Sequence, residues 1–273
     1  MKLVAAAVSV AGKVRKQNQD NLFMGNETRP TDQQDYCRAW MSGEETQIYS
    51  VCDGMGGEQA GEEASYRAVA ALAEEASGHN ADWSACIAQA NESVCGLCRE
   101  RGIRAGSTFS AVFFIGEECT AVNVGDSRIY YITKNKIRQV SLDHTRFQTM
   151  VGAGLIEKND RKHDKARSEL TQYLGIEGEQ MELEPYVEHL KELRPGDMIL
   201  LCSDGLYGSV EDDELLALSE EHESLLECCT AMVRRAEENG SRDNITAMLI
   251  RIEPERKRRA FGRDWLKMLP WGK

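Results

Sequence analysis

Four short strand-like segments follow one another at 109–115, 119–124, 128–133 and 137–140, and links such as Lys134-Asn135-Lys136 join them. Parallel neighbours need a crossover of about a dozen residues or more, so links this short restrict the run to antiparallel pairing. Further strand-like segments lie at 3–10, 47–52, 198–202 and 245–252, and helical periodicity marks 58–78, 82–101, 145–153, 212–220 and 222–239. The first long helix repeats Ala60, Ala64, Ala68, Leu72 and Ala76 every fourth residue, and the second sets Trp83, Ile87, Ala90, Val94 and Leu97 on one side. Each has one apolar stripe for a sheet to cover. Strands in runs and helices in pairs predict an α+β layered sandwich rather than a β-α-β alternation. The polar stretch from Glu27 to Glu45 predicts a loop between the first two strands.

A chain of 273 residues, 41% hydrophobic and 29% charged, holds enough apolar material for one enzyme-sized domain. Lys+Arg 33 against Asp+Glu 45 leaves a net charge of -12, which opposes general affinity for nucleic acid or anionic lipid. The nine cysteines are scattered; Cys95 and Cys98 have zinc-ligand spacing, but no second pair answers them. They read as reduced, mostly buried thiols, hence a cytoplasmic protein. The apolar start, Leu3 to Val10, reads as a first strand rather than a signal peptide. No run approaches the roughly 20 apolar residues that span a bilayer.

Val51-Cys52-Asp53-Gly54-Met55-Gly56-Gly57 places a carboxylate on a strand-to-helix turn, where an isolated Asp-Gly is an ordinary turn former. The pattern is not isolated. Met198 to Cys202 runs into Ser203-Asp204-Gly205, and Val122-Asn123-Val124 into Gly125-Asp126-Ser127-Arg128. Asp243 precedes the strand that starts at Ile245, and Asp20 follows the first strand. Strands packed side by side would bring several of these carboxylates to one edge, where like charges raise one another's pKa or demand cations. Oxygen ligands without nearby His or Cys select hard ions such as Mg²⁺ or Mn²⁺. Gly54 lets its own carbonyl approach an ion beside Asp53. Two ions about 3.5–4 Å apart can hold a bridging water and deliver it in line to a phosphoryl group.

Arg-x-x-Asn-Gln-Asp at 15–20, Asp-Gly-Met-Gly-Gly at 53–57, Gly-Ser-Thr at 106–108, Gly-Asp-Ser-Arg at 125–128, Ser-Asp-Gly at 203–205 and Arg-Asp-Asn at 242–244 occur in a telling order. The chain resembles the metal-dependent serine/threonine protein phosphatases (the PPM family, type 2C) of bacterial type, over about residues 3 to 252. The resemblance implies a four-layer α-β-β-α sandwich: two antiparallel β-sheets flanked by helix pairs, with a binuclear Mn²⁺/Mg²⁺ centre at one end. Asp53 would bridge the ions, the Gly54 carbonyl would bind one, and Asp204 and Asp243 the other. Asp20 would hold metal-bound water, Arg15 would bind phosphate through its fork, and Asp126 with Asp204 would form a weaker third metal site. Implied partners are phosphorylated proteins and an opposing serine/threonine kinase.

Two departures stand out. Gln19 replaces a Glu common in the family, and Met55 occupies the position at which animal-type members carry the His thought to protonate the leaving oxygen. That acid is unassigned; His144 and His163 are the nearest candidates in sequence. The phosphatase domain is expected over 1–253, with a flap at about 143–174 touching the protein substrate. An alternative is a catalytically silent phosphatase-fold binding module, which predicts lost metal ligands. An aspartyl-nucleophile phosphatase would need an early Asp-x-Asp, which the first half of the chain lacks. A nuclease or pyrophosphatase sits poorly with the net charge. Beyond the domain, 254–273 is a basic tail with Phe261, Trp265, Met268 and Leu269 on one helical face. It reads either as a contact with the membrane periphery or an acidic partner, or as a helix packed on its own domain.

Overall fold

The structure is a computed structural model that describes residues 1–31, 33–42, 46–56, 58–76, 82–179 and 181–254. The expected tail, from 255 on, lies outside the described residues. In chain order the elements are β1 (Lys2–Val10), β2 (Asp20–Met24), β3 (Glu27–Thr28), β4 (Tyr36–Ser42), β5 (Thr46–Met55), α1 (Glu58–Ala76) and α2 (Trp83–Arg101). Then come β6 (Gly106–Ser107), β7 (Phe109–Ile115), β8 (Glu118–Val124), β9 (Arg128–Thr133), β10 (Lys136–Gln139), α3 (Arg146–Gly152) and a 3-10 turn (Asp164–Arg167). The chain closes with β11 (Tyr186–Leu190), β12 (Met198–Cys202), α4 (Asp204–Tyr207), α5 (Asp212–Glu221), α6 (Leu225–Glu238) and β13 (Ile245–Glu253).

Two antiparallel sheets result, ordered β10-β9-β12-β13-β1-β4 and β11-β8-β7-β5-β2-β3, with the short β6 paired to β5. The first sheet buries both faces, and its central strands divide their side chains with period two. In β13, Met248, Ile250 and Ile252 join the core between the sheets, whereas Ala247 and Leu249 face the α5–α6 layer. On the other side, Ala64, Ala68 and Leu72 of α1 and Ile87, Ala90, Val94 and Leu97 of α2 cover the second sheet. The order is therefore α1/α2, sheet, sheet, α5/α6, the expected four-layer sandwich. Asp82 caps α2 by accepting from the Ser84 N–H at 3.1 Å, and Gly102 ends the helix in the left-handed region.

The expected loop over Glu27 to Glu45 is corrected: Tyr36–Ser42 is an edge strand paired with β1, from Ser9↔Tyr36 to Leu3↔Ser42. Cys37, Arg38, Ala39 and Met41 are exposed there, so the segment lacks the apolar pattern that marks a buried strand. Residues 2–10 form an interior strand between β4 and β13. No helix among the described residues is long and apolar enough to cross a membrane.

Candidate metal centre

Asp20 and Asp53 are direct cross-strand partners in the β2–β5 pairing. Two carboxylates placed opposite each other repel, so this register needs compensation from elsewhere. Asp20 is fully buried, and its Oδ2 accepts 2.6 Å hydrogen bonds from the hydroxyls of Ser203 and Thr246. Its Oδ1 has no partner, and neither has the buried Oδ1 of Asp204. Arg29, also fully buried, supports the same segment from behind. Its guanidinium donates to the backbone oxygens of Asn18 (2.8 Å), Asp20 (2.9 Å) and Gln33, and lies 3.7 Å from Glu62 at the start of α1.

The other carboxylates arrive at the same end. β12 and β13 are antiparallel, so Asp204, just past β12, meets Asp243, just before β13. Ser241 Oγ locks the approach by donating to the Gly205 carbonyl at 2.8 Å. Asp126 sits in the turn that carries the chain from β8 in one sheet to β9 in the other. Gly54 shows why no side chain is tolerated beside Asp53: a Cβ there would stand 1.9 Å from the Gly61 carbonyl oxygen in α1 and 2.8 Å from that of Gln19.

Arg15, Asp53, Gly54, Asp126, Asp204 and Asp243 all line one cleft of about 650 Å³, and Ser168, Leu170 and Tyr173, from the segment where a flap is expected, form part of its wall. Asp20 stands behind the lining rather than in it. Arg15 Nη2 donates to Asp243 Oδ2 at 2.6 Å. Neither histidine candidate reaches the cleft lining: His144 Nδ1 accepts from the Gly125 N–H at 3.3 Å, and His163 faces Asp160 at 3.5 Å.

Some polar groups that shape the site carry no individual signal in the sequence, although they lie inside or next to its motifs. The Thr108 hydroxyl accepts from the Asp53 N–H at 2.8 Å. Asn244 accepts from the Gln19 N–H at 2.9 Å and donates to the carbonyls of Ala11 and Gln17, clamping the loop that presents Arg15. Arg29 and Glu62 carry no local signal; only tertiary contact makes them a pair.

Among the described residues, no group of three or more His, Cys, Asp or Glu side chains encloses a metal ion by itself. The donor set still fits Mg²⁺ or Mn²⁺, ions that keep several waters and take only one or two protein carboxylates each. Unpartnered buried carboxylate oxygens in a cluster of like charge are the features such ions satisfy. Loss of hydration pushes Asp53 and Asp204 well above the ordinary carboxylate range, and their acidic neighbours push them further. Burial likewise raises Asp20 to about 6, against the pull of Ser203 and Thr246, and raises Asp126 to about 7, helped by Asp143.

The metal-free fold holds these carboxyl protons to higher pH than the unfolded chain, so its stability falls from the ordinary carboxylate range, about pH 4, upward through 6 to 7. Thermal scans in chelator should show a lower melting temperature at pH 8 than at pH 5, and Mn²⁺ should restore more of it at pH 8. A melting temperature equal at both values would contradict the repulsion.

Residues 26–250, more than four-fifths of the chain, match the family described as Protein phosphatase 2C. The chain belongs to the protein phosphatase 2C family. This phosphatase is 29% identical to the serine/threonine phosphatase Stp of Listeria welshimeri over 266 residues, 93% of this chain and 96% of that one. It is 30% identical to the serine/threonine protein phosphatase PstP of Mycobacterium tuberculosis over 251 residues, 89% of this chain and 44% of that protein. A crystal structure of PstP/Ppp from M. tuberculosis matches with a TM-score of 0.78 at 28% identity, covering 93% of this chain and 100% of that one. A second structure, the PstP catalytic domain in complex with two manganese ions, matches with a TM-score of 0.74 at 27% identity and the same coverage. Family and relatives make this protein a serine/threonine protein phosphatase.

Proposed function

We infer that this phosphatase hydrolyses phosphoserine and phosphothreonine on proteins with Mn²⁺ or Mg²⁺ held by Asp53, the Gly54 carbonyl, Asp204 and Asp243, and more weakly by Asp126. The observation that carries the reading is the meeting of five carboxylates, with Asp20 and Asp53 paired across strands, at one end of the sandwich. The chemistry supplied by such ions is neutralisation of phosphoryl charge and ionisation of water at neutral pH.

The chain's own residues do the rest. Asp53 and Asp204, desolvated but open to the cleft, fix where positive charge gathers. Asp20 keeps Oδ1 free as an acceptor for a proton-bearing group while Ser203 and Thr246 hold its orientation. Arg15 engages Asp243 through one N–H and has further donors in its fork for phosphoryl oxygens. Asn244 keeps the loop bearing Arg15 over the cleft. Flap residues Ser168, Leu170 and Tyr173 form the wall against which a protein segment would lie.

Nine cysteines with no disulfide among them support a reducing compartment, the cytoplasm. Opposition to a serine/threonine kinase, and anchoring of the basic tail on an anionic surface, belong to the same reading. Phosphate release from a phosphothreonyl peptide, compared with release from a nucleotide and a phosphodiester, tests it: the peptide should be turned over and the diester left intact. Tight phosphopeptide binding without release in Mn²⁺ would favour the silent binding module instead.

A further inference from the structure

The flap carries a second concavity, of about 480 Å³, between α3 and residues 161–169. Glu169 lines it, whereas Ser168 and Leu170, on either side of Glu169, line the metal cleft. Leu170 bridges antiparallel to Thr145, and the Arg146 N–H donates to the Glu169 carbonyl at 2.8 Å. The stretch is thus extended, and successive side chains point to opposite faces. One thickness of chain separates the concavity from the cleft.

Its rim is cationic. Arg146, Arg161, Lys162, His163 and Lys165 line it against Asp164 and Glu169. The acids are already engaged, Glu169 with Arg146 at 3.1 Å and Asp164 with Arg167 at 3.3 Å. Arg161, Lys162 and Lys165 are exposed, and their side chains make no ion pair or hydrogen bond among the described residues. Asp160 offsets part of the Lys162 charge, but the lining still holds more cations than acids, an excess that attracts an anion even in a chain of net charge -12. The rim is also pinned: the Arg167 guanidinium lies 3.5 Å over the Phe147 ring and donates to the carbonyls of Lys158 and Asp160 at 3.2 and 3.4 Å. Pinning lowers the ordering cost of binding.

Resting on the phosphatase reading above, we propose that this concavity is a secondary anion subsite. It selects phosphoprotein segments that carry a further acidic group, a carboxylate or a second phosphate, close to the phosphate being removed. Neighbouring extended chains lie about 5 Å apart and an extended peptide advances about 3.3 Å per residue, so the second group falls at least about two residues away. Arg161 can fork onto such a group, and Lys162 and Lys165 add point charge.

The test uses labelled phosphothreonyl peptides with neutral flanks, with glutamates two to four residues away, or with a second phosphothreonine there. Binding is read by fluorescence anisotropy in chelator, and turnover with Mn²⁺. The unaltered protein should bind the acidic peptides on the order of tenfold tighter than the neutral one at low salt, and the preference should shrink as salt rises. In R161Q/K162Q/K165Q the acidic-to-neutral ratio should fall toward one in both binding and kcat/KM. A stronger preference for the glutamate or for the doubly phosphorylated peptide identifies which anion the subsite takes. A ratio near one in the unaltered protein, or a ratio unchanged in the variant, overturns the proposal. So does loss of binding to phosphatidylserine vesicles in the variant with the peptide ratio intact, since the rim would then serve a membrane. Failure of the phosphatase reading appears separately, as no phosphate released from any peptide in Mn²⁺ while anisotropy still reports the subsite.

Discussion

Asp53→Asn is expected to lower kcat/KM on a phosphothreonyl peptide by on the order of 10³-fold, the equivalent of about 4 kcal/mol of lost transition-state stabilisation. Asp53 holds the centre of the carboxylate cluster: it faces Asp20 across the strands and lines the cleft with Asp126, Asp204 and Asp243. An amide keeps the shape and removes the charge that attracts divalent ions. The fold should survive, because the Asp53 backbone keeps its bonds to Thr108, N–H to hydroxyl at 2.8 Å and carbonyl to N–H at 2.8 Å. Metal-free, the variant should melt at a higher temperature than the parent at pH 8, by roughly 2–4 °C for each kcal/mol of repulsion relieved. This opposition between activity and stability separates a functional carboxylate cluster from a structural one. A variant with near-parental turnover, or one destabilised without metal, would sink the assignment.

Gly54→Ala should damage both properties at once. The added methyl would lie 1.9 Å from the Gly61 carbonyl oxygen, and because that atom is backbone on the first helix, no side-chain rotation relieves the clash. Helix α1 and strand β5 must part, at a cost on the order of 3–5 kcal/mol, or a melting temperature lower by about 10 °C. Displacement of Asp53 and of the Gly54 carbonyl by even about 1 Å should cost roughly 10²-fold in kcat/KM. Gly152→Ala is the control, since a Cβ at Gly152 meets nothing within 4 Å; thermal scans and peptide kinetics on both variants suffice. Parental behaviour of Gly54→Ala would mean that the close approach of α1 does not hold the site.

The elements legible in the sequence share a physical property. β7, β8, β12 and β13 lie inside their sheets and bury most of their residues, so each reads as a mainly apolar run, unbroken in β12. β3, β4 and β11 lie at sheet edges, where less of a strand is covered, and composition does not mark them. The two long helices were legible from their alanine and leucine stripes because each touches one sheet only.

For the site, the Asp-Gly and Gly-Asp turns at Asp53, Asp126 and Asp204 could be read locally, since a glycine beside a lone carboxylate at a strand end is a local signal. The Asp20–Asp53 register could not, because β2 is only five residues long and its pairing is a tertiary fact. Arg29 gives the sharper case. An arginine in a polar stretch reads as solvated, yet here Asn18, Asp20 and Gln33 gather around its guanidinium and supply the carbonyls that make burial tolerable. The Arg15–Asp243 contact likewise joins residues 228 apart in sequence.

Titration of Mn²⁺ into the metal-free protein by calorimetry, with phosphate release from a phosphothreonyl peptide followed in the same samples, tests the central claim most directly. The carboxylate cluster predicts two ions bound per chain, release that rises as they bind, and none in excess chelator. Undiminished release in excess chelator, from protein holding less than one ion per chain, would contradict it.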